Sequence, residues 1–147
     1  MTGRSSSALL AFIGCLLTGS EAMAQATPPA GPPTPQLANP ASTHCIESGG
    51  VVRMERLPSG GQYGVCVFVD DRQCEEWALF RRECPVGGLR VTGYITPAAR
   101  YCAITGGRYS ITGRSGAADE QGDCTFSDGE TCDAAAYLNG SCMRRRQ

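Results

Sequence analysis

Apolar residues in this chain come in short bursts separated by glycine, proline and charge. The first burst, residues 8–17, lies close to the N-terminus. From residue 38 onward the pattern reads as a succession of small elements. Asn39 suits a helix N-cap, and Pro40 suits the first helical position, where its missing N–H costs nothing. This short helix carries Cys45 and is expected to end at Gly49-Gly50, a C-cap signal. Residues 51–56 are partly alternating and β-branched, residues 58–61 form a turn, and residues 62–69 read as the return strand. Residues 75–82 then read as a second helix. Glu75 and Glu76 stand in its first turn and Arg81 and Arg82 at its end, as the helix dipole prefers. Trp77 and Phe80 share one face of it and are expected to pack on the hairpin, with Trp77 as a core anchor.

This order of elements occurs twice. Cys45, Cys66, Cys74 and Cys84 are separated by 21, 8 and 10 residues, and Cys102, Cys124, Cys132 and Cys142 by 22, 8 and 10. Asn39-Pro40 corresponds to Thr96-Pro97, Gly49-Gly50 to Gly106-Gly107, Gly64 to Gly122, Phe68 to Phe126 and Asp70 to Asp128. The chain therefore contains an internal duplication. Unit one covers 38–85, a connector with strand-like residues 89–95 covers 86–95, unit two covers 96–142, and 143–147 form a basic tail. The expected fold is a small disulfide-rich α+β protein of two tandem helix–β-hairpin–helix units. Ala134 and Ala135 stand where unit one has a charged and a bulky residue, and Ala136 continues the run of small side chains. Small side chains allow close approach, so that helix is expected to pack against unit one or the connector.

The N-terminal burst changes the setting. Arg4, the apolar run and Ala22-Met23-Ala24 follow the anatomy of a secretory signal peptide over residues 1–24, with cleavage after Ala24. The run is shorter than the roughly 20 apolar residues that span a bilayer, and no later stretch reaches that length. The expected location is periplasmic or secreted. Phe12-Ile13-Gly14-Cys15 approaches a lipoprotein box and offers the alternative of a lipid anchor on Cys15. Residues 25–37 hold five prolines and read as an extended spacer. Removing the leader takes Cys15 with it and leaves eight cysteines, an even set of the kind exported proteins oxidise. A unit of this size buries too little apolar surface to be comfortably stable without cross-links. Eight cysteines allow 105 pairings; bonds kept within each unit reduce these to nine, or three if the copies match.

Charge and chemistry narrow the function. Charged residues make up 18% of the chain and its net charge is −1. The thirteen basic residues are all Arg. This balance excludes a strongly basic nucleic-acid binder. With one histidine, a multi-His metal site within the chain is impossible. Zinc ligands usually come as close pairs such as Cys-x-x-Cys, which are missing. Asp70, Asp71, Glu75 and Glu76 lack the ordered spacing of a calcium loop and read as a solvated turn plus a helix N-terminus. His44 beside Cys45 resembles half of a thiolate–imidazole pair, but exported cysteines in even sets are oxidised and inert, and unit two has Tyr101 there. No nucleophile–base–acid set is visible, so neither an enzyme nor a cofactor is expected. Tyr63, Tyr94 and Tyr109 have no readable role.

Asn39-Pro40-Ala41-Ser42, Cys45, Gly49-Gly50, Gly64, Cys66, Phe68 and Cys74-Glu75-Glu76-Trp77-Ala78-Leu79-Phe80 resemble the bacterial domain of unknown function 333, often labelled a haemolysin. Unit two resembles a degenerate copy, in which Ala135 replaces the Trp, Ala134 the second Glu and Thr96 the Asn. Asp71 departs from the glycine usual in the family. The resemblance implies a small exported or lipid-anchored envelope protein with no established activity. Family members with two cysteines keep the first and second positions. The resemblance therefore implies Cys45–Cys66 and Cys102–Cys124, leaving Cys74–Cys84 and Cys132–Cys142. The last two require the second helix to end near Arg81, since ten helical residues span about 15 Å and bridged Cα atoms lie within roughly 7 Å. Lysis is not expected, because the helices are short and the strands fall below the 9–11 residues of a spanning strand. The expected function is a binding or structural module for an envelope or extracellular protein. Unit one, which keeps Trp77, Glu75 and Glu76, is expected to carry the binding, and unit two to stabilise it. A protease inhibitor presenting Arg114-Ser115 is the alternative.

The mature protein is expected to begin at Gln25 with no free thiol. Intact-mass measurement of exported protein before and after reduction checks both; a lipidated species starting at Cys15 would establish the other processing route.

Overall fold

A computed structural model describes residues 38–145. The expected leader (1–24) with Cys15, the Pro-rich segment (25–37), Arg146 and Gln147 lie outside the described residues. Helix α1, Pro40–Glu47, begins at Asn39, whose side chain accepts the Ala41 N–H at 3.0 Å. Its counterpart α3, Pro97–Ile104, begins at Thr96, which accepts the Ala99 N–H at 3.1 Å. Two separate demands account for each Gly-Gly pair. Gly49 and Gly106 take the left-handed conformation that closes the helix, at φ +84° and +88°. At Gly50 a side chain would meet Cys66 Sγ at 2.4 Å, and at Gly107 it would meet Cys124 Sγ at 2.3 Å. The second glycine makes room for a disulfide.

Strands β1, Val51–Arg56, and β2, Gln62–Val67, pair antiparallel, as do β5, Arg108–Gly113, and β6, Gln121–Thr125. Each hairpin then acquires a third strand. Strand β3, Arg72–Glu75, pairs with β2, so that Cys74 faces Cys66, and β7, Thr131–Asp133, pairs with β6, so that Cys132 faces Cys124. Each expected hairpin is thus part of a three-stranded meander, and the second helix of unit one is shorter than the expected 75–82. Helix α2 is Glu76–Phe80, and its counterpart α4 is Ala134–Asn139. The reason is local. Glu75 is the N-cap rather than a first-turn residue, and its carboxylate accepts the N–H groups of Trp77 and Ala78 at 3.1 and 2.8 Å. Within the connector only β4, Leu89–Arg90, is strand; it adds to β3, and the sheet orders are β1-β2-β3-β4 and β5-β6-β7. In the turn between β2 and β3, Asp70 and Asp71 are both left-handed, at φ +57° and +54°, where the second copy uses Gly129.

Four disulfides tie these elements. Cys45–Cys66 and Cys102–Cys124 join the first helix of each repeat to its second strand, with Cα atoms 5.7 and 5.6 Å apart. Cys74–Cys84 and Cys132–Cys142 join the third strand to the chain beyond the second helix, each at 6.0 Å. The return of the chain is made by left-handed Arg82 and Gly140. The first core gathers Cys45, Cys66, Cys74, Cys84, Phe68, Ala78 and Leu79. The second gathers Cys102, Cys124, Phe126 and Ala134, with Tyr109 and Tyr137 against them. Among the described residues no helix is long and apolar enough to cross a membrane.

The helix that reaches the first repeat's core is α3, whereas the alanine-rich α4 packs in the core of its own repeat. Ala134 is buried in the second repeat's own core, whereas Ile104 is buried with Val65 and Val91. Arg100 grips Glu55 with two hydrogen bonds of 2.8 and 2.9 Å and donates two more to Gln73 Oε1 at 2.9 and 2.5 Å. Tyr63 donates to the same Glu55 carboxylate at 2.8 Å. The basic tail also folds back. Arg144 donates to Glu83 at 3.0 Å and to Asp128 at 2.9 Å, and its guanidinium lies 4.9 Å from the Phe126 ring centre.

The junction makes stability pH-dependent. Hydrogen bonds from Arg100, with help from Tyr63 and Arg53, hold Glu55 at about 2 against an ordinary 4.5. A depressed carboxylate stabilises the fold above its unfolded value, and that contribution disappears as pH falls from 4.5 through about 2. Glu55→Gln should cost roughly 1–2 kcal/mol at neutral pH, or about 5 °C in Tm. Melting curves taken between neutral pH and pH 2 should show a shallower acid slope for the variant than for the natural protein; equal slopes would place the acid-sensitive contact elsewhere.

Candidate functional site

The residues that make unit one distinctive converge on a single carboxylate. Glu76, the first residue of α2, is 4% exposed and sits over Gly64 of β2. A side chain on Gly64 would meet that carboxylate at 2.5 to 2.7 Å. Asn39 Nδ2 donates to Glu76 Oε1 at 2.9 Å, and Ser42 Oγ donates to Oε2 at 2.5 Å. Asn39 thus caps α1 with its oxygen and ties α1 to α2 with its nitrogen. The latch explains physically why Asn-Pro-Ala-Ser and Glu-Glu-Trp-Ala occur together in one unit. Glu75 is also buried, and desolvation raises its pKa against the pull of the two N–H groups it caps. The acidic cluster expected as a solvated turn plus helix start is therefore two different things. Asp70 and Asp71 are exposed, while Glu75 and Glu76 are buried structural groups.

The second repeat fills the same place differently. Thr96, Ala99 and Ala134 stand where the latch residues would be. Instead the Tyr109 ring covers Gly122, where an added side chain would meet it at 2.3 to 2.5 Å. One repeat keeps a hydrogen-bonded carboxylate at this point and the other an aromatic plug.

Trp77 is not a core anchor. It is 37% exposed and Phe80 is 44% exposed, whereas Ala78 and Leu79 are the buried residues of α2. A five-residue helix has one inward arc, and Glu76, Ala78 and Leu79 occupy it. The spacing does bring Trp77 and Phe80 together, but on the outer arc. Their rings meet edge to face at 5.8 Å, and His44 meets Phe80 at 5.8 Å. His44 therefore belongs to an aromatic ridge, and Cys45 is buried in its disulfide.

An open groove of about 430 Å³ lies beside this ridge. Its lining includes Trp77, Glu75, Glu76, Asn39 and Gly64, together with Met54, Leu57, Gln62 and Tyr63 from the first hairpin. Tyr101 of α3 and Thr105, which caps its C-terminal end, complete it, so the second repeat contributes to the surface that unit one alone was expected to carry. Tyr101 meets Tyr63 at 5.2 Å between ring centres. A neighbouring recess of about 270 Å³ shares Leu57 and Tyr101 and continues to Tyr137, Met143 and Arg144. Sequence reasoning missed Met54, Leu57, Tyr63 and Tyr101. Each belongs to a different local element, and no periodicity links them.

Denaturation of three variants tests this division between wall and core. Trp77→Ala should cost about 1–2 kcal/mol, less than the loss of a fully buried ring. Leu79→Ala, which empties a buried site, should cost about 2–5 kcal/mol. Gly64→Ala should cost about 1–3 kcal/mol, because it overfills the space against Glu76. A Trp77→Ala loss equal to that of Leu79→Ala would return the ring to the core.

Comparison with known proteins gives one result. No curated protein and no solved structure matches the chain. Two segments, residues 36–83 and 93–141, each match the family described as Domain of unknown function (DUF333). The first segment contains the whole Asn39–Ser42–Glu76 latch, and the second contains the copy in which Tyr109 takes its place. The chain belongs to this family, and carries its domain twice in tandem.

Proposed function

We propose that this protein is an exported, disulfide-stabilised binding module of the bacterial envelope, working in the periplasm or outside the cell. The groove shared by its two repeats is the binding surface. The observation that carries this reading is the exposed position of Trp77 at the mouth of a groove walled by residues of both repeats. A large aromatic ring left more than a third in water is available to a partner. Export is supported by the leader pattern of residues 1–24 and by the joining of all eight later cysteines in disulfides, which persist in oxidising compartments. Unit one supplies most of the wall, and unit two both supports it through Arg100 and completes it through Tyr101.

The inhibitor alternative is less well supported. Arg114 lies in the left-handed region at φ +50°, and its side chain is paired with Asp119. A protease recognises its substrate as an extended strand with a free side chain at the cleavage position. Arg114 offers neither.

Site-specific photo-crosslinking in the native bacterium tests the proposal. A benzophenone amino acid replacing Trp77 should give a discrete adduct in the envelope fraction. The same probe replacing exposed Ile111, on the second repeat's β5, should give none. Tyr101→Ala in the full chain should remove the position-77 adduct without moving Tm by more than a few degrees. Equal labelling from both positions, or protein retained in the cytoplasm, would overturn the assignment.

A further inference from the structure

The groove has an unbalanced electrostatic character. Glu75 and Glu76 stand in its wall, 7% and 4% exposed. Their oxygens are hydrogen-bonded to neutral donors: the N–H groups of Trp77 and Ala78 for Glu75, and Asn39 and Ser42 for Glu76. Among the described residues neither carboxylate has an ion-pair partner, and no Arg or His lines the groove. Arg53 and Arg100 are committed to Glu55, and Arg81, paired with Glu83, acts on Glu75 only at a distance. Burying charge without a counter-charge is costly even when its hydrogen bonds are satisfied. The same lining holds three aromatic residues, Trp77, Tyr63 and Tyr101. Aromatic faces attract cations, most strongly when desolvated.

We infer that the groove receives a cationic side chain, the ammonium of Lys or the guanidinium of Arg, presented by a polypeptide partner. This rests on the groove being the binding surface, as proposed above. Carboxylates without an ion-pair partner and three rings in the same lining complement a cation on an apolar stem. Lys and Arg have that form, a polar head on a chain of methylenes that lies along aromatic surface. Met54 and Leu57 extend the apolar lining for such a stem. An anionic ligand would add like charge to a wall that already holds two carboxylates.

The test uses the fact that Trp77 is the chain's one tryptophan, so its fluorescence reports from the groove. The full oxidised protein is titrated with hexalysine, hexaglutamate and a neutral chitin hexasaccharide in about 0.15 M salt, which screens non-specific attraction between exposed charges. Hexalysine should give a saturable change in Trp77 emission, and the other two should give none. By calorimetry, Trp77→Ala and Glu75→Gln should each weaken hexalysine binding about tenfold. Asp70→Asn, which removes an exposed acid outside the groove, should leave it unchanged. A saturable, Trp77-dependent response to the saccharide or to hexaglutamate alone would keep the groove as the binding surface and overturn its cationic preference. Equal weakening by Asp70→Asn and Glu75→Gln would show attraction to the acidic surface at large, and overturn the inference. No response to any probe overturns it too, while the crosslinking at position 77 judges the groove separately.

Discussion

The bond between the first helix and the second strand, Cys45–Cys66 in one repeat and Cys102–Cys124 in the other, is the constraint around which everything else is arranged. All four of these sulfur-bearing residues are fully buried. The helix must stop just past its cysteine so that the chain can turn into β1 or β5. The residue after the turn must then be glycine, because the sulfurs occupy the space of a side chain. In the chain-entropy description, closing a loop of about 20 residues contributes roughly 3 kcal/mol. That is large beside the total stability of a small domain. The first core is built largely from half-cystines, with Leu79 and Phe68 as its main non-cysteine bulk. A core of this kind has little apolar area to spare, which frees large residues such as Trp77, Met54 and Phe80 from holding the repeat together.

Duplication then allowed the two copies to specialise. Both keep the disulfides, the caps and the glycine in the second strand. At that glycine the first copy holds a carboxylate locked by Asn39 and Ser42, while the second holds the Tyr109 ring. The polar solution leaves charge near the surface and the aromatic one seals it. Helix α3 does more than repeat α1. Its Ile104 and Arg100 reach the first sheet, and Tyr101 joins the groove wall. Glu55 accepts bonds from residues of both repeats, so the junction is a hydrogen-bonded network rather than a single contact.

The proposed recognition follows from this asymmetry. A single copy presents a latch, a hairpin and an exposed ring. Placing α3 of the next copy alongside turns an open face into a groove. Glu75 and Glu76 contribute in two ways at once. Their hydrogen bonds hold α1 and α2 in place, and their charge lies in the wall of a concavity, where fields are less screened than at an open surface.

Much of the framework was legible in the residues themselves. The repeated cysteine spacing, the Asn39-Pro40 and Thr96-Pro97 starts and the span of β1 are local signals, because caps and alternation act over a few neighbouring residues. The third strand of each meander was not legible. Residues 72–75 and 131–133 are too short and polar to declare themselves, and become strands because a neighbouring strand supplies their backbone partners. Burial was equally a tertiary matter. The spacing of Trp77 and Phe80 brought their rings together, but only the packing of Glu76 against Gly64 decided that they face outward and that the two acidic residues lie within. The groove itself joins Met54, Tyr63, Trp77 and Tyr101 from four elements, and no linear pattern links residues that meet only because two repeats dock. The sequence by itself determined the repeat, the cross-linking chemistry and the helix caps, all set by short-range covalent and hydrogen-bonding geometry; the tertiary structure alone decided the third strands, the inward glutamates and the shared groove, because each depends on surfaces that the chain brings together only on folding.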